Sequence, residues 1–250
     1  MRVGIVGGGR MGTWLGREVS LLHEVKVFDV DPAKSDVPSL ASLASWSDVI
    51  VVAVGFKEAA AVVRDLSSLD LCGKLVIDIA TFKRYVVEAY DSLPECALAA
   101  TAHPLFGPGA ATIKGRRVVV MGIPGRRGVK EAASFFAELG ATVVEGSLDE
   151  HDEYVEYTIA LSYAVGLALA RVYSKRWDKL EKYGGTSFRY LSVFAASLLS
   201  DQTAPSYAEE AREALEEFIE ELRKSHVPRP PSGYEDAYQL FYRALEAIGY

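Results

Sequence analysis

Arg2–Val6 is a short apolar run that ends in Gly7-Gly8-Gly9-Arg10-Met11-Gly12, and a helical pattern begins inside the same hexapeptide. The spacing G-x-G-x-x-G between a strand and a helix leaves few alternatives to a βαβ unit. Gly7 permits a tight turn, Gly9 lets the backbone approach a pyrophosphate, and Gly12 lets helix and strand pack closely. Arg10 and Met11 open the helix, whose first amides are donors for an anion. Asp29 ends the next apolar run, 17 residues past Gly12, at the reach of a ribose 2′-hydroxyl. Val30-Asp31-Pro32 follow, with no Arg or Lys to pair a 2′-phosphate and a second carboxylate to repel it. The expected cofactor is therefore NAD rather than NADP. A glycine turn without a ligand is the competing reading, and a flavin dinucleotide is another that nothing in the C-terminal half suits.

The same alternation continues through residue 146. Arg2–Val6, Glu24–Phe28, Asp48–Val54, Lys74–Ile79, Ala97–Ala102, Arg117–Met121 and Thr142–Val144 read as strands. Most are continuous apolar runs, as in parallel strands covered on both faces. Met11–Leu21, Lys57–Leu66, Tyr85–Leu93 and Val129–Leu139 have helical spacing between them. This predicts an α/β domain over 1–146, a Rossmann-type doubly wound sheet. Ser147 with Glu150 three residues on fits a capping box, and no convincing strand follows. Asp149–Tyr173, Phe188–Leu199, Tyr207–Lys224 and Tyr234–Ile248 read as helices, punctuated by Gly184-Gly185, Pro205 and Pro228-Arg229-Pro230-Pro231. Residues 147–250 are thus expected to form an all-helical domain.

Composition excludes several classes. With 50% hydrophobic and 24% charged residues the chain is an ordinary folded protein, not a disordered one. The net charge is −7, and both halves carry more acid than base, so a nucleic-acid partner is not expected. No signal or lipidation motif precedes the first strand. Val155 to Tyr173 is the most apolar long stretch, but Glu156 and Arg171 interrupt it, and it reads as a buried helix too short and too polar to span a membrane. Two cysteines, Cys72 and Cys96, do not indicate a disulfide framework, and a cytoplasmic setting is the default. The chain has no Asn and only Gln202 and Gln239, a depletion of thermolabile amides that suggests a thermophile. In a hyperthermophile a Cys72–Cys96 bridge would stay open as a possibility.

Chemistry is concentrated at strand ends. His103-Pro104-Leu105-Phe106-Gly107-Pro108-Gly109 follows the strand that ends at Ala102. A histidine there can exchange a proton with a substrate hydroxyl beside a nicotinamide. Thr81, at the end of Asp78-Ile79-Ala80-Thr81-Phe82-Lys83, can bond a carboxamide or a neighbouring imidazole, or merely cap a helix. Lys83 and Arg84 open the next helix, where the macrodipole disfavours cations, so an anion facing them is expected. No metal-ligand cluster is evident.

His-Pro-Leu-Phe-Gly-Pro resembles the H-P-M-F-G-P signature of the prephenate dehydrogenases, arogenate-using enzymes included. Asp78 to Lys83 resembles their D-x-A-S-x-K segment, with Thr81 in place of Ser. The resemblance is specific in the first half and loose after residue 150. It implies oxidative decarboxylation of prephenate to 4-hydroxyphenylpyruvate in tyrosine biosynthesis, with NAD as cofactor and a homodimer through the C-terminal helices. By the same resemblance His103 takes the hydroxyl proton, Thr81 orients it, and Lys83 lies near the substrate. Tyr163 stands where many members have a second histidine. Arg189, in a segment like the family's glycine-rich F-R stretch, either holds a substrate carboxylate or is a structural ion-pair partner. His151-Asp152 resembles the family's helix start and is read as a cap with surface charge. Arogenate dehydrogenase is the nearest alternative. Another two-domain hydroxyacid or imine dehydrogenase and a non-enzymatic NAD-sensing regulator are more distant ones.

Overall fold

The computed structural model describes residues 1–224 and 234–247. Pro228-Arg229-Pro230-Pro231 and the expected helix end at Ile248 lie outside the described residues. The chain divides into two compact units, Met1–Asp152 and the residues from Glu153 on. The division falls later than residue 146, because the first turn of the helix capped by Ser147 stays with the first unit.

In the first unit seven strands form one sheet: β1 (Arg2–Val6), β2 (Glu24–Phe28), β3 (Val49–Val52), β4 (Leu75–Asp78), β5 (Leu98–Pro104), β6 (Arg117–Gly122) and β7 (Thr142–Glu145). The spatial order is β2-β1-β3-β4-β5-β6-β7. All expected strands are present, and neighbours from β2 to β5 run parallel. The sheet departs from uniform parallel winding at one seam, where β6 lies antiparallel to β5. Residues 105–116 between them contain no helix, and a parallel return needs a crossover.

Helices α1 (Arg10–Val19), α2 (Leu40–Trp46), α3 (Ala59–Leu66), α4 (Val129–Glu138) and α5 (Leu148–Val155) complete the first unit, α5 running across the division. The expected helix over Tyr85–Leu93 is a 3₁₀ segment, Val87–Ser92. The core joins Val3, Ile5, Val51 and Ile77 to Trp14 and Leu15 of α1 and to Phe135 and Phe136 of α4. Ser147 Oγ accepts from the Asp149 amide at 3.2 Å, an N-cap bond made one residue before the Glu150 of the expected capping box. Cys72 and Cys96, at the amino ends of β4 and β5, form a disulfide, so the default of reduced thiols does not hold.

The second unit is helical, and no strand follows β7 among the described residues. Its helices are α6 (Leu161–Ser174), α7 (Trp177–Tyr183), α8 (Thr186–Leu199), α9 (Ala204–Ala208), α10 (Glu213–Arg223) and α11 (Tyr234–Ala247). The expected helix over Tyr207–Lys224 is interrupted between α9 and α10. A π-helical turn, Glu156–Ala160, joins α5 to α6, so one helix runs 27 residues from Leu148 to Ser174. Its mean hydropathy is 1.3 over the most apolar window, of which only 22% is buried. It is therefore neither too short for a bilayer nor a buried helix, contrary to the sequence reading; by length and composition it is the one such helix among the described residues.

Candidate active site

β2 and β3 flank β1 on opposite sides, so the carboxyl end of β1 is the switch point where α/β sheets bind ligands. Gly7 has φ +110°, and a Cβ on it would press on the Ala53 carbonyl at 2.7 Å. A Cβ at Gly12 would overlap the Gly7 carbonyl, which fixes how closely α1 enters against the turn. At Gly9 a Cβ would meet nothing within 4 Å, leaving the backbone open to a ligand. No side chain caps α1, so the amides that begin with Arg10 and Met11 are available to an anion. Asp29 is aimed by two backbone donors, the Gly8 amide at 2.6 Å on Oδ2 and the Asp31 amide at 2.8 Å on Oδ1. It borders an open groove with Phe28, Val30, Ser35 and Val37. These features fit a dinucleotide: an anion cradle beside an oriented carboxylate for a ribose. Lys34, overlooked in the sequence, also stands here, but it pairs with Asp31 at 3.1 Å.

His103 is not in the loop after the strand. It and Pro104 prolong β5, opposite Val119 and Val118 of β6, because antiparallel pairing carries the ladder past Ala102. The loop that follows is fastened to α1. Trp14 Nε1 donates to the Ala110 carbonyl at 2.7 Å, and its ring meets Phe106 edge-on at 5.2 Å. The buried Glu18 carboxylate accepts from the Ile113 amide at 2.8 Å and the Thr112 hydroxyl at 2.9 Å. Burial raises the Glu18 pKa, but these bonds and Arg17 outweigh it and hold the carboxyl below its ordinary value.

Lys83 is buried rather than open at the strand end. A 3₁₀ turn, Lys83–Tyr85, replaces the expected helix start and folds the side chain under the sheet end, 1% exposed. Its Nζ donates to Asp78 Oδ1 at 3.0 Å and to the Ala102 carbonyl at 2.6 Å. Tyr90 closes this network from behind, its hydroxyl 3.0 Å from Asp78 Oδ2. Burial lowers the Lys83 pKa against the pull of Asp78. Arg84 turns to Asp152, through its amide at 2.8 Å and its guanidinium at 3.4 Å. Thr81 is half-buried at the carboxyl end of β4, the strand beside β5.

His151 and Asp152, read as a helix cap with surface charge, are instead part of the His103 site. His103 Nδ1 lies 3.0 Å from His151 Nε2, and His151 Nδ1 lies 2.8 Å from Asp152 Oδ1. Both rings are buried. Burial first, then the neighbouring Lys83 and His151, drive the His103 pKa well below its ordinary value against the opposing pull of Asp152. His103 is thus neutral near pH 7. Burial pushes the Asp152 carboxyl up, but hydrogen bonds from His151 and from the Arg84 and Lys83 amides prevail and keep it low. A neutral imidazole beside an ionised carboxylate can accept a proton and share the resulting charge. The sequence cue was an imidazole and a carboxylate adjacent in the first turn of a capped helix.

In the second unit, Arg189 lies in the first turn of α8, where the helix dipole disfavours a cation. Its Nε is buried without a hydrogen-bond partner. Tyr163, on α6, packs its ring against Tyr207 at 5.1 Å.

A parallel-dominated sheet with a switch-point glycine turn, followed by a helical unit, defines a Rossmann-type α/β fold. Among solved structures, the chain is similar to a candidate prephenate dehydrogenase from Corynebacterium glutamicum, at 19% identity and TM-score 0.71 over 97% of this chain and 88% of that one. It is also similar to prephenate dehydrogenase from A. aeolicus in complex with hydroxyphenyl propionate and NAD+, at 16% identity and TM-score 0.65 over 99% and 96%. Synechocystis arogenate dehydrogenase matches at 15% identity and TM-score 0.63 over 99% and 97%. No protein-family model matches the chain, and no curated protein matches it by sequence.

Proposed function

We propose that the protein is an NAD-dependent dehydrogenase that converts prephenate to 4-hydroxyphenylpyruvate with loss of CO2, in tyrosine biosynthesis. The observation that carries this reading is a buried, neutral His103 on a strand whose following loop is fastened to the dinucleotide helix. Gly7, Gly9, Gly12 and the amides at Arg10 and Met11 hold the pyrophosphate, and Asp29 holds the adenosine ribose. Bound NAD+ supplies the hydride acceptor. His103 takes the proton of the ring hydroxyl, which raises electron density at the carbon that gives up hydride. Thr81 orients the reacting groups. Arg189 binds a substrate carboxylate through a guanidinium whose Nε has no other partner, with Tyr163 lining the substrate side. Lys83 serves from beneath, as the cation that keeps His103 neutral. The protein acts in the cytoplasm as a homodimer through its C-terminal helices, and its lack of Asn fits a thermophilic source.

Synechocystis arogenate dehydrogenase shares this fold, so arogenate is the second substrate to test. The test follows NADH absorbance with NAD+ or NADP+ and with prephenate or arogenate. Turnover of prephenate with NAD+ is expected, and His103→Asn should lower kcat by roughly 10²-fold or more with little change in cofactor affinity. Comparable kcat/KM for the two cofactors would remove Asp29 from its role. Silence with both substrates would remove the proposed reaction.

A further inference from the structure

We propose that His151, held by Asp152, is a positioning residue that fixes the tautomer of His103 and makes Nε2 the nitrogen that receives the substrate proton. The assignment of the proton donor rests on the reading above; the tautomer itself does not.

The order of protons is set at Asp152 and passes inward. Its carboxylate accepts from the Lys83 amide at 2.8 Å, the Arg84 amide at 2.8 Å and Arg84 Nη1 at 3.4 Å. An ionised carboxylate has no proton to give, so His151 Nδ1, 2.8 Å from Oδ1, must be the donor of that contact. In its neutral form His151 carries one proton, which this contact places on Nδ1; its Nε2 is then bare, and it faces His103 Nδ1 at 3.0 Å. Two bare nitrogens at that distance would oppose their lone pairs in a buried place, so His103 Nδ1 carries the hydrogen. His103 is neutral as well, and its one remaining lone pair is on Nε2. Each proton along the chain is dictated by its neighbour, and the origin is a carboxylate fixed by two backbone amides.

During turnover the substrate O–H bond breaks and an Nε2–H bond forms on His103. NAD+, when bound, would accept the hydride with its electron pair, and the electrons of the broken O–H bond form the carbonyl. The Nδ1–H bond of His103 stays intact and directs the new positive charge at His151 and Asp152, away from Lys83. The arrangement also makes proton uptake conditional on His151. If His151 gains a second proton, both of its nitrogens donate, His103 Nδ1 must accept, and the hydrogen moves to Nε2. His103 would remain neutral yet be unable to act as a base. The charged and titratable groups facing the pair are Lys83, with Asp78 and Tyr90 behind it, and Asp152 with Arg84.

The test uses the full-length protein with ¹⁵N-labelled histidine. Long-range ¹⁵N–¹H NMR spectra over a pH series report which ring nitrogen of each histidine is protonated, without cofactor or substrate. Wild type is expected to show His103 and His151 both protonated at Nδ1 near neutral pH. His151→Phe keeps a flat ring but removes the acceptor. His103 should then populate both tautomers, and kcat should fall about 10- to 100-fold, the usual cost of losing an orienting partner. KM for NAD+ should not move. His151→Gln restores an acceptor near the place of Nε2 but cannot be protonated, so it should restore the Nδ1 tautomer and most of kcat. A wild-type His103 protonated at Nε2 overturns the proposal. So does a folded His151→Phe variant with tautomer and kcat unchanged. If the tautomers are as expected but no substrate turns over, the reading of the reaction fails and the tautomer assignment stands.

Discussion

A buried guanidinium nitrogen without a partner calls for an acceptor, since native interiors leave few such groups unsatisfied. Arg189 Nε is in that position. A substrate carboxylate is charged in both ground and transition states, so its binding is nearly uniform and its loss appears in KM rather than kcat. A charged hydrogen bond is worth about 1.5–3 kcal/mol, so Arg189→Gln should raise KM for prephenate by roughly 10- to 150-fold. KM for NAD+ should stay put. Steady-state kinetics on a folded variant decide it, and an unmoved KM for prephenate makes Arg189 structural. At this scale the sequence located His103 near the carboxyl end of a strand, and the structure has it there, inside β5 rather than after it. It failed where the partner is distant in the chain. His151 is 48 residues from His103, and nothing local says that its ring turns inward. Lys83 was assigned to the substrate because nothing in its neighbourhood reveals that the Ala102 carbonyl claims it.

The strands were legible as elements because a parallel sheet buried on both faces leaves unbroken apolar runs. Their directions were less so, for the reversal at β6 depends on the short segment before it. α2 escaped notice because Leu40–Trp46 is seven residues long and holds too few turns to show a period. The helix expected over Tyr207–Lys224 failed at residues 209–212, where charge and apolar spacing still suggest continuity. The disulfide was invisible to composition, since two cysteines say nothing of distance. Cys72–Cys96 closes a loop of sequence separation 24 at the amino ends of β4 and β5. Loop-closure entropy puts its contribution near 3 kcal/mol. Chemical denaturation with and without a strong reductant, or with the Cys72→Ser, Cys96→Ser pair, should show a midpoint lowered accordingly. Coincident curves would mean that the bond contributes nothing.

At the scale of the whole molecule, the C-terminal helices expose more apolar surface than a lone chain comfortably carries. Leu199 is 61% exposed, Leu222 69% and Leu240 62%, with Tyr190 and Phe194 also open on α8. The proposed homodimer through these helices would cover such surface. Sedimentation equilibrium should give about twice the 27.2 kDa of one chain, and Leu199→Lys with Tyr190→Lys should shift the population towards the single-chain mass. A wild-type protein that sediments as one chain at all concentrations would refute the homodimer.

The loop after His103 hangs on Trp14 and Glu18, and His103, His151 and Asp152 all fall within Met1–Asp152. The proposed proton acceptor is therefore inherited as a block with the nucleotide turn. Recombination that exchanged the chain beyond Glu153 for another helical segment would hand that same group to a new selectivity. Divergence in such a lineage has an asymmetric cost: the first half must change in concert, while the second can trade one set of substrate contacts for another.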